Sequence, residues 1–227
     1  ILERGGYIHT HSHVDEISGG ENAFVTTRDG NTVWAQNIVV ATNSPINDLF
    51  AIHTKQAAYR SYVLGFKVAK DYVAKGLYWD SANPYHYFRT SPLNEEFEIL
   101  IVGGEDHKTG QKDHPERCFD ALELWTRERF PECGSILYRW SGQIMEPVDG
   151  LAFLGHNPGW HQNVFVISGD SGNGLTHCTM GGMIIADQIM QRKNPWEKIY
   201  SPSRISMKTI GKYMKENLNT ADRKSVV

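Results

Sequence analysis

Asn163-Val164-Phe165-Val166-Ile167-Ser168-Gly169-Asp170-Ser171-Gly172-Asn173-Gly174-Leu175 is the stretch on which the reading of this chain turns. Val164 to Ile167 is an unbroken apolar run of strand length. Such runs belong to strands buried on both faces, as in a parallel sheet. The glycine-rich turn from Ser168 to Gly174 leads into a helix of about 17 residues that Asn194-Pro195 stops. A helix start leaves its first N–H groups without intrahelical partners. The macrodipole adds positive character there, worth about 0.3–1 kcal/mol to an anion and up to ~2 kcal/mol when partly buried. Glycines let a flat or anionic ligand come close to that backbone. The corner therefore suits a ligand edge with negative charge, although the spacing is not G-x-G-x-x-G and a ligand-free connection fits it too. Gly181-Gly182 lies inside the helix at a cost of about 1 kcal/mol per glycine against alanine. Close packing on a sheet or ligand explains that tolerance.

The same corner holds a decoy. Gly169-Asp170-Ser171-Gly172 spells the segment around the nucleophile of trypsin-like proteases. That nucleophile is not followed by a long helix, and no histidine in an Ala-Ala-His-Cys setting precedes it here. The esterase elbow G-x-S-x-G fails as well, because residue 173 is Asn. A serine hydrolase using Ser171 stays a minor alternative.

Toward the N-terminus, residues 6–17 alternate, with Tyr7, His9, His11 and His13 on one face and Ile8, Thr10, Ser12 and Val14 on the other. Period two predicts a strand. Three histidines on one face could ligate zinc, but no carboxylate or cysteine sits at a matching spacing, and a polar strand edge is the plainer reading. Phe24–Thr27 and Thr32–Trp34 predict a hairpin around Arg28-Asp29-Gly30-Asn31. Ile38-Val39-Val40-Ala41 is a second continuous apolar run, ended by Thr42-Asn43-Ser44-Pro45. Beyond it the character changes. Residues 59–68, 77–80, 85–90 and 98–102, the last closed by Gly103-Gly104, read as strands. Residues 115–130 read as a helix with Pro115 in its first turn and Cys118, Leu122 and Trp125 on one side. Residues 136–145 return as a strand. A last helix over about 206–218 carries Met207, Ile210, Met214 and Leu218 on one face, and the polar tail after it reads as loose.

The predicted class is α/β with α+β mixing: an incomplete Rossmann-like, FAD/NAD(P)-binding type of domain interrupted by an antiparallel-sheet domain. The expected boundaries are 1–45 for the first part of the nucleotide-type domain, 46–147 for the inserted substrate or cover domain, 148–195 for the return, and 196–227 for an exit helix and linker. The 227 residues are 40% hydrophobic and 22% charged, with net charge -3, so there is no basic stripe for nucleic acid. No apolar run approaches the roughly 18 residues of a membrane span. Cys118, Cys133 and Cys178 form no C-x-x-C pair and read as free thiols in or near cores, which suits a reducing, cytoplasmic setting. The chain opens on Ile1 without a Met and reads as an excised piece.

Three stretches together resemble the D-amino-acid oxidase / glycine oxidase / sarcosine oxidase family of FAD enzymes. They are the opening strand and hairpin with Ile38-Val39-Val40-Ala41-Thr42-Asn43; Trp140-Ser141-Gly142 with Asp149-Gly150-Leu151-Ala152-Phe153-Leu154-Gly155; and Val166 to Thr176 with its helix. Within that family, Trp79-Asp80, Pro84-Tyr85-His86-Tyr87-Phe88-Arg89, Gly103-Gly104-Glu105-Asp106-His107-Lys108-Thr109-Gly110 and Met145-Glu146-Pro147-Val148-Asp149-Gly150 resemble members with a C-terminal Rieske [2Fe–2S] module. The paired Cys-x-His and Cys-x-x-His ligands of such a module do not occur here, so a [2Fe–2S] centre belongs only to a module outside these residues.

The resemblance implies FAD as cofactor, bound between the two α/β stretches, with the β-rich domain over its reactive face. It implies that Val14 lies against the adenine, that Ala41, Thr42 and Asn43 end the strand near the dinucleotide, and that Asp170, Ser171, Gly172, Asn173, Gly174, Leu175 and Thr176 surround the pyrimidine edge of the ring. The implied reaction is hydride removal from an amine carbon of a small-molecule amine or amino-acid substrate to flavin N5, giving an imine that water hydrolyses. Two departures stand out. The family's N-terminal G-x-G-x-x-G is missing, so this fragment by itself is expected to bind FAD poorly and to be inactive. The family's carboxylate-gripping arginine, two residues after Trp-x-Gly, is replaced by Ile144 behind Gln143. An apolar residue holds no carboxylate, which favours a polyamine or another amine without that group. Tyr87 and Arg89 are the candidates for substrate contact, with a core aromatic and a surface ion pair as their plain alternatives. A cofactor-free docking module that keeps the fold is the second reading of the whole.

Overall fold

The computed structural model describes residues 1–46, 52–110, 114, 116–159 and 161–204. The chain divides into two compact units, one formed by residues 1–57 and those from 145 onward, the other by residues 58–144. Strands and helices mix as the sequence predicts.

In the first unit, β1 (Val14–Ser18), β2 (Phe24–Thr27) and β3 (Thr32–Trp34) form an antiparallel sheet. Gly30 takes the positive φ of +82° that closes the β2–β3 hairpin. The strand expected over residues 6–17 is shorter: only Val14–Ser18 pairs. His11 has a φ of 57°, which breaks the extended run, so His9, His11 and His13 do not share a strand face. His13 lies 3.3 Å from Asp15.

The second sheet of this unit decides the architecture. β4 (Ile38–Asn43) and β11 (Val164–Ser168) are parallel neighbours although about 120 residues separate them in sequence. β10 (Phe153–His156), which the apolar pattern does not announce as a strand, pairs antiparallel on the other side of β11. Val164 and Val166 turn to one face, packing with Ile38 and Val40 under the hairpin sheet and with Ile52 and Phe153. Phe165 and Ile167 turn to the other, against Leu154, Ile184 and Ile185 of α2 (Gly174–Ile189). β11 is thus buried on both faces as expected. β4 is not, because α2 lies over β10 and β11 and leaves Val39 45% exposed. Gly181 is where α2 meets the sheet: a Cβ there would stand 2.8 Å from Ile167 Cδ1, while one on Gly182 would meet nothing. After the short α3 (Glu197–Tyr200), Arg204 ties the chain back. Its Nε and Nη2 donate to the two carboxylate oxygens of Asp149, both at 2.7 Å, its Nη1 donates to Ala152 O and its Nη2 to Leu151 O.

The second unit is an antiparallel sheet in the order β6 (Tyr78–Trp79), β7 (Tyr87–Pro92), β8 (Phe97–Lys108), β5 (Gln56–Ala69), β9 (Ile136–Pro147). α1 (Glu116–Arg129) packs on one face of it. Cys118 and Leu122 are buried as predicted, joined by Thr126, whose hydroxyl donates to Leu122 O and so hides its polarity. Trp125 stacks on His86 at 4.4 Å. Even-numbered residues of β5 and β8, among them Tyr62, Leu64, Phe66, Leu100 and Val102, fill the core under α1. The strand expected to close at Gly103-Gly104 runs on to Lys108, because the glycines pair with Tyr62 and Val63 of β5 and do not turn. Of the cysteines, Cys118 and Cys133 are buried and Cys178 is exposed on α2. The expected helix over 206–218 and Pro115 lie outside the described residues. Among the described residues no helix is long and apolar enough to cross a membrane.

Candidate functional site

The C-terminal ends of parallel strands, where the chain turns into a helix, are where α/β sheets collect ligands. β4 and β11 end side by side here, Ser168 opposite Asn43. Ser168 is buried; its hydroxyl donates to Asn43 O and accepts from Gln56 Nε2 at 3.1 Å. This pins the last residues of both strands to one another. Ala41, Thr42 and Asn43 are exposed at that edge. The structure therefore brings Ala41–Asn43 and the glycine-rich corner together, as the sequence reading requires.

The corner itself is a chain of left-handed residues: Gly169 at φ +70°, Ser171 at +48° and Gly172 at +75°. Gly169 has no room for a side chain, since a Cβ would stand 2.7 Å from Pro147 Cγ. Asp170 organises the turn: its carbonyl accepts from Asn173 N at 2.8 Å and from His177 Nδ1 at 3.0 Å, and its carboxylate accepts from Gly172 N at 3.3 Å. Ser171 N donates to Met145 O, and Ser171 Oγ donates to Glu146 Oε2 at 2.8 Å. That hydroxyl meets a carboxylate and no imidazole, so the histidine-activated serine of a hydrolase is not built here.

Asn173 caps α2 without a side-chain hydrogen bond, and the first helical bond runs from His177 N to Asn173 O. The N–H groups of Gly174, Leu175 and Thr176 are left without partners among the described residues. Leu175 is 92% exposed above them. Three aligned donors at a dipole's positive end can take a flat, partly anionic edge. Val14 stands apart from this group, at the start of β1 and paired with Thr27.

The second candidate group lies in the other unit. Tyr87 and Arg89 share a face of β7, turned away from α1, since Phe88 between them packs into the core beneath it. The Tyr87 ring lies over Gly103, where a Cβ would come within 2.1 Å of it. Burial pushes the Tyr87 hydroxyl above its ordinary range, partly offset by the Ser61 hydroxyl. Arg89 is exposed, makes no ion pair among the described residues, and its charge favours the ionised hydroxyl of Tyr87. Sequence reasoning missed two neighbours of Tyr87. Ser61 and Asp106 join it through tertiary structure, and burial raises the Asp106 carboxyl above its usual range.

Comparison with known proteins follows the same lines. The sequence profile of the FAD-dependent oxidoreductase (DAO) family matches residues 1–188. YhfW of Bacillus subtilis (strain 168), named for a Rieske 2Fe-2S iron–sulfur protein, is 26% identical over 208 residues, which is 91% of this chain and 40% of that protein. Glycine oxidase from Geobacillus kaustophilus superposes with a TM-score of 0.72 at 16% identity, covering 90% of this chain and 55% of that one. L-proline dehydrogenase from P. horikoshii gives 0.70 at 17%, covering 89% and 56%. The chain thus spans two fifths of YhfW and little more than half of these two solved structures. It belongs to the FAD-dependent oxidoreductase family of DAO type.

Proposed function

We propose, with that membership as the premise, that the chain contributes the ring-edge contacts and the substrate cover of an FAD-dependent amine or amino-acid oxidoreductase. The observation that carries this is the corner from Gly169 to Thr176, with three unpartnered N–H groups beside the end of β4. In this reading residues 1–45 and 148–195 serve the flavin, 46–147 cover the substrate, and 196–227 lead out of the domain.

The residues present fit FAD at the corner. Gly172 and Gly174 keep side chains out of the approach. The N–H groups of Gly174, Leu175 and Thr176 would hold the electron-rich ring edge, and Asn43 and Val14 would lie along the rest of the dinucleotide. FAD, when bound, supplies the acceptor for a hydride from the amine carbon. The chain's own part is to orient and to stabilise charge. Ser171, fixed by Glu146, holds the corner's shape, and the helix start answers negative charge that builds beside it. Tyr87 and Arg89 would contact substrate. A [2Fe–2S] centre of the kind YhfW is named for would need ligands beyond Cys118, Cys133 and Cys178, which are not followed by histidines at the required spacing.

The test is flavin occupancy of the whole protein, wild type against Leu175→Asp. Leu175 packs against nothing, so the variant keeps the fold and sets a negative charge over the free N–H groups. An FAD affinity lower by about tenfold is expected. Unchanged occupancy sinks the placement of the ring edge, and a whole protein that binds no FAD leaves the docking-module reading.

A further inference from the structure

The sheet of the second unit carries a β-bulge that changes what its open face can do. Tyr62 pairs with Gly104 and Arg60 with His107, so Ser61 stands opposite two residues, Glu105 and Asp106. Glu105 has a φ of 56°, the left-handed turn that lets the extra residue fit. A regular strand would put Asp106 on the same side as Gly104 and Tyr62, toward α1. The bulge reverses that phase. Glu105 goes to the α1 side, where its Oε1 lies 3.3 Å from His86 Nε2, and His86 Nδ1 lies 3.2 Å from Asp80 Oδ2. His107 also stays on the α1 side, 2.8 Å from the Tyr62 hydroxyl. Asp106, between them, turns to the open face beside Ser61 and Tyr87.

Those three residues form an unfinished polar group. Ser61 is only 5% exposed, and its Oγ completes no hydrogen bond. Asp106 Oδ1 is buried and also completes none. Ser61 lies close enough to both partners to draw Asp106 and Tyr87 back toward ionisation, yet burial outweighs it for each. Buried polar atoms are nearly always satisfied, so two orphans on neighbouring strands single this group out. Asp106 Oδ1 accepts from no donor, and the Ser61 and Tyr87 hydroxyls keep lone pairs beside it, so the group offers acceptors to a ligand rich in N–H donors. An ammonium has three such donors and the charge that a buried carboxylate lacks. Tyr138 and Trp140 lie on the same open face, because Arg139 between them turns to Phe119 of α1. Both are about half exposed, and their rings favour a cation. Arg89, the one guanidinium placed on this face of β7, pairs with Ile101, five residues from Asp106 along β8, and its charge favours the ionised hydroxyl of Tyr87 two residues away.

We infer that Ser61, Tyr87 and Asp106 form an ammonium-binding subsite on the open face of this sheet, and that the chain recognises alkylamines through it. The Asp80–His86–Glu105 chain is the positioning brace that holds the bulge and so aims Asp106. The inference rests on reading this sheet as the substrate cover, and it names what that cover grips: a cationic nitrogen, in place of the carboxylate that Ile144 leaves without an arginine.

The probe is n-butylammonium, titrated into the 227-residue chain and followed by NMR shifts of Ser61 and Asp106, with Asp106→Asn, Ser61→Ala and Asp120→Asn compared. Asp106→Asn keeps the shape and should weaken binding by about tenfold or more. Ser61→Ala should weaken it less. Asp120→Asn, an exposed acid on α1, should leave it unchanged. Equal affinity for wild type and Asp106→Asn overturns the inference, as does equal weakening by Asp120→Asn, which would mean bulk charge alone. In the whole protein Asp106→Asn should raise KM for an alkylamine and leave FAD content unchanged. A flavoprotein whose KM ignores Asp106 sinks the subsite alone. A whole protein without FAD sinks the flavin reading, and the titration still judges the subsite.

Discussion

The corner at Gly169–Thr176 and the open sheet face around Asp106 are two kinds of binding surface. The first is made of backbone. Its donors are peptide N–H groups, and its shape comes from positions that exclude a Cβ. The second is made of side chains from three strands, and its shape comes from the bulge that sets Ser61 opposite Glu105 and Asp106. A backbone surface tolerates changes to exposed side chains but not added bulk at its glycines. A side-chain surface tolerates truncation in stability terms and loses binding instead. It even carries a burial cost that truncation removes.

The contrast is sharpest at Gly169. Gly169→Ala forces a side chain into a left-handed residue and against Pro147, and should cost about 3 kcal/mol. Urea denaturation measures it, and a loss below that of an ordinary surface change would mean the corner is soft. Arg204 is the side-chain exception in the first unit. Burial tends to raise the Asp149 carboxyl, but the hydrogen bonds and charge of Arg204 outweigh it and hold the carboxyl below its ordinary range. Arg204→Ala should cost about 2–3 kcal/mol by leaving that half-buried carboxylate unpaired. The sign follows from the lowered value: the stabilisation is full above the usual Asp range and is lost as pH falls through the depressed one. Melting temperature against pH, wild type beside Arg204→Ala, should therefore converge in acid.

Asp106 has the opposite sign. Its raised carboxyl contributes stability below the usual Asp range and loses it as pH rises through the elevated one. Asp106→Asn should raise the melting temperature near neutral pH and flatten that slope. A lower melting temperature would show that Asp106 serves the fold and not the face. The smallest effect belongs to α2. Gly182→Ala meets open space and should stabilise by about 0.5–1 kcal/mol, while Gly181→Ala presses on Ile167 and should destabilise. If both behave alike, the helix is not seated on the sheet as described.

The corner was legible because glycine patterns report backbone directly, and the parallel pair β4 and β11 was legible because continuous apolar runs have few other uses. The strand over residues 6–13 was misread because alternation says nothing of the left-handed His11. β10 was missed because Ala152-Phe153-Leu154-Gly155 is too short to show a period. Tyr87 and Arg89 stood out as substrate-contact candidates on one strand, but Ser61 and Asp106 did not, since no local signal links positions 61, 87 and 106.

By itself the sequence determined the class of fold, the hairpin, the two buried strands and the glycine corner, because each is written in neighbouring residues through propensity and period. Only tertiary structure decided which strands became neighbours and which way Asp106 points. Strand alternation carries a phase, and a single bulge, fixed by pairing with a strand some 45 residues away, reverses it for every residue that follows.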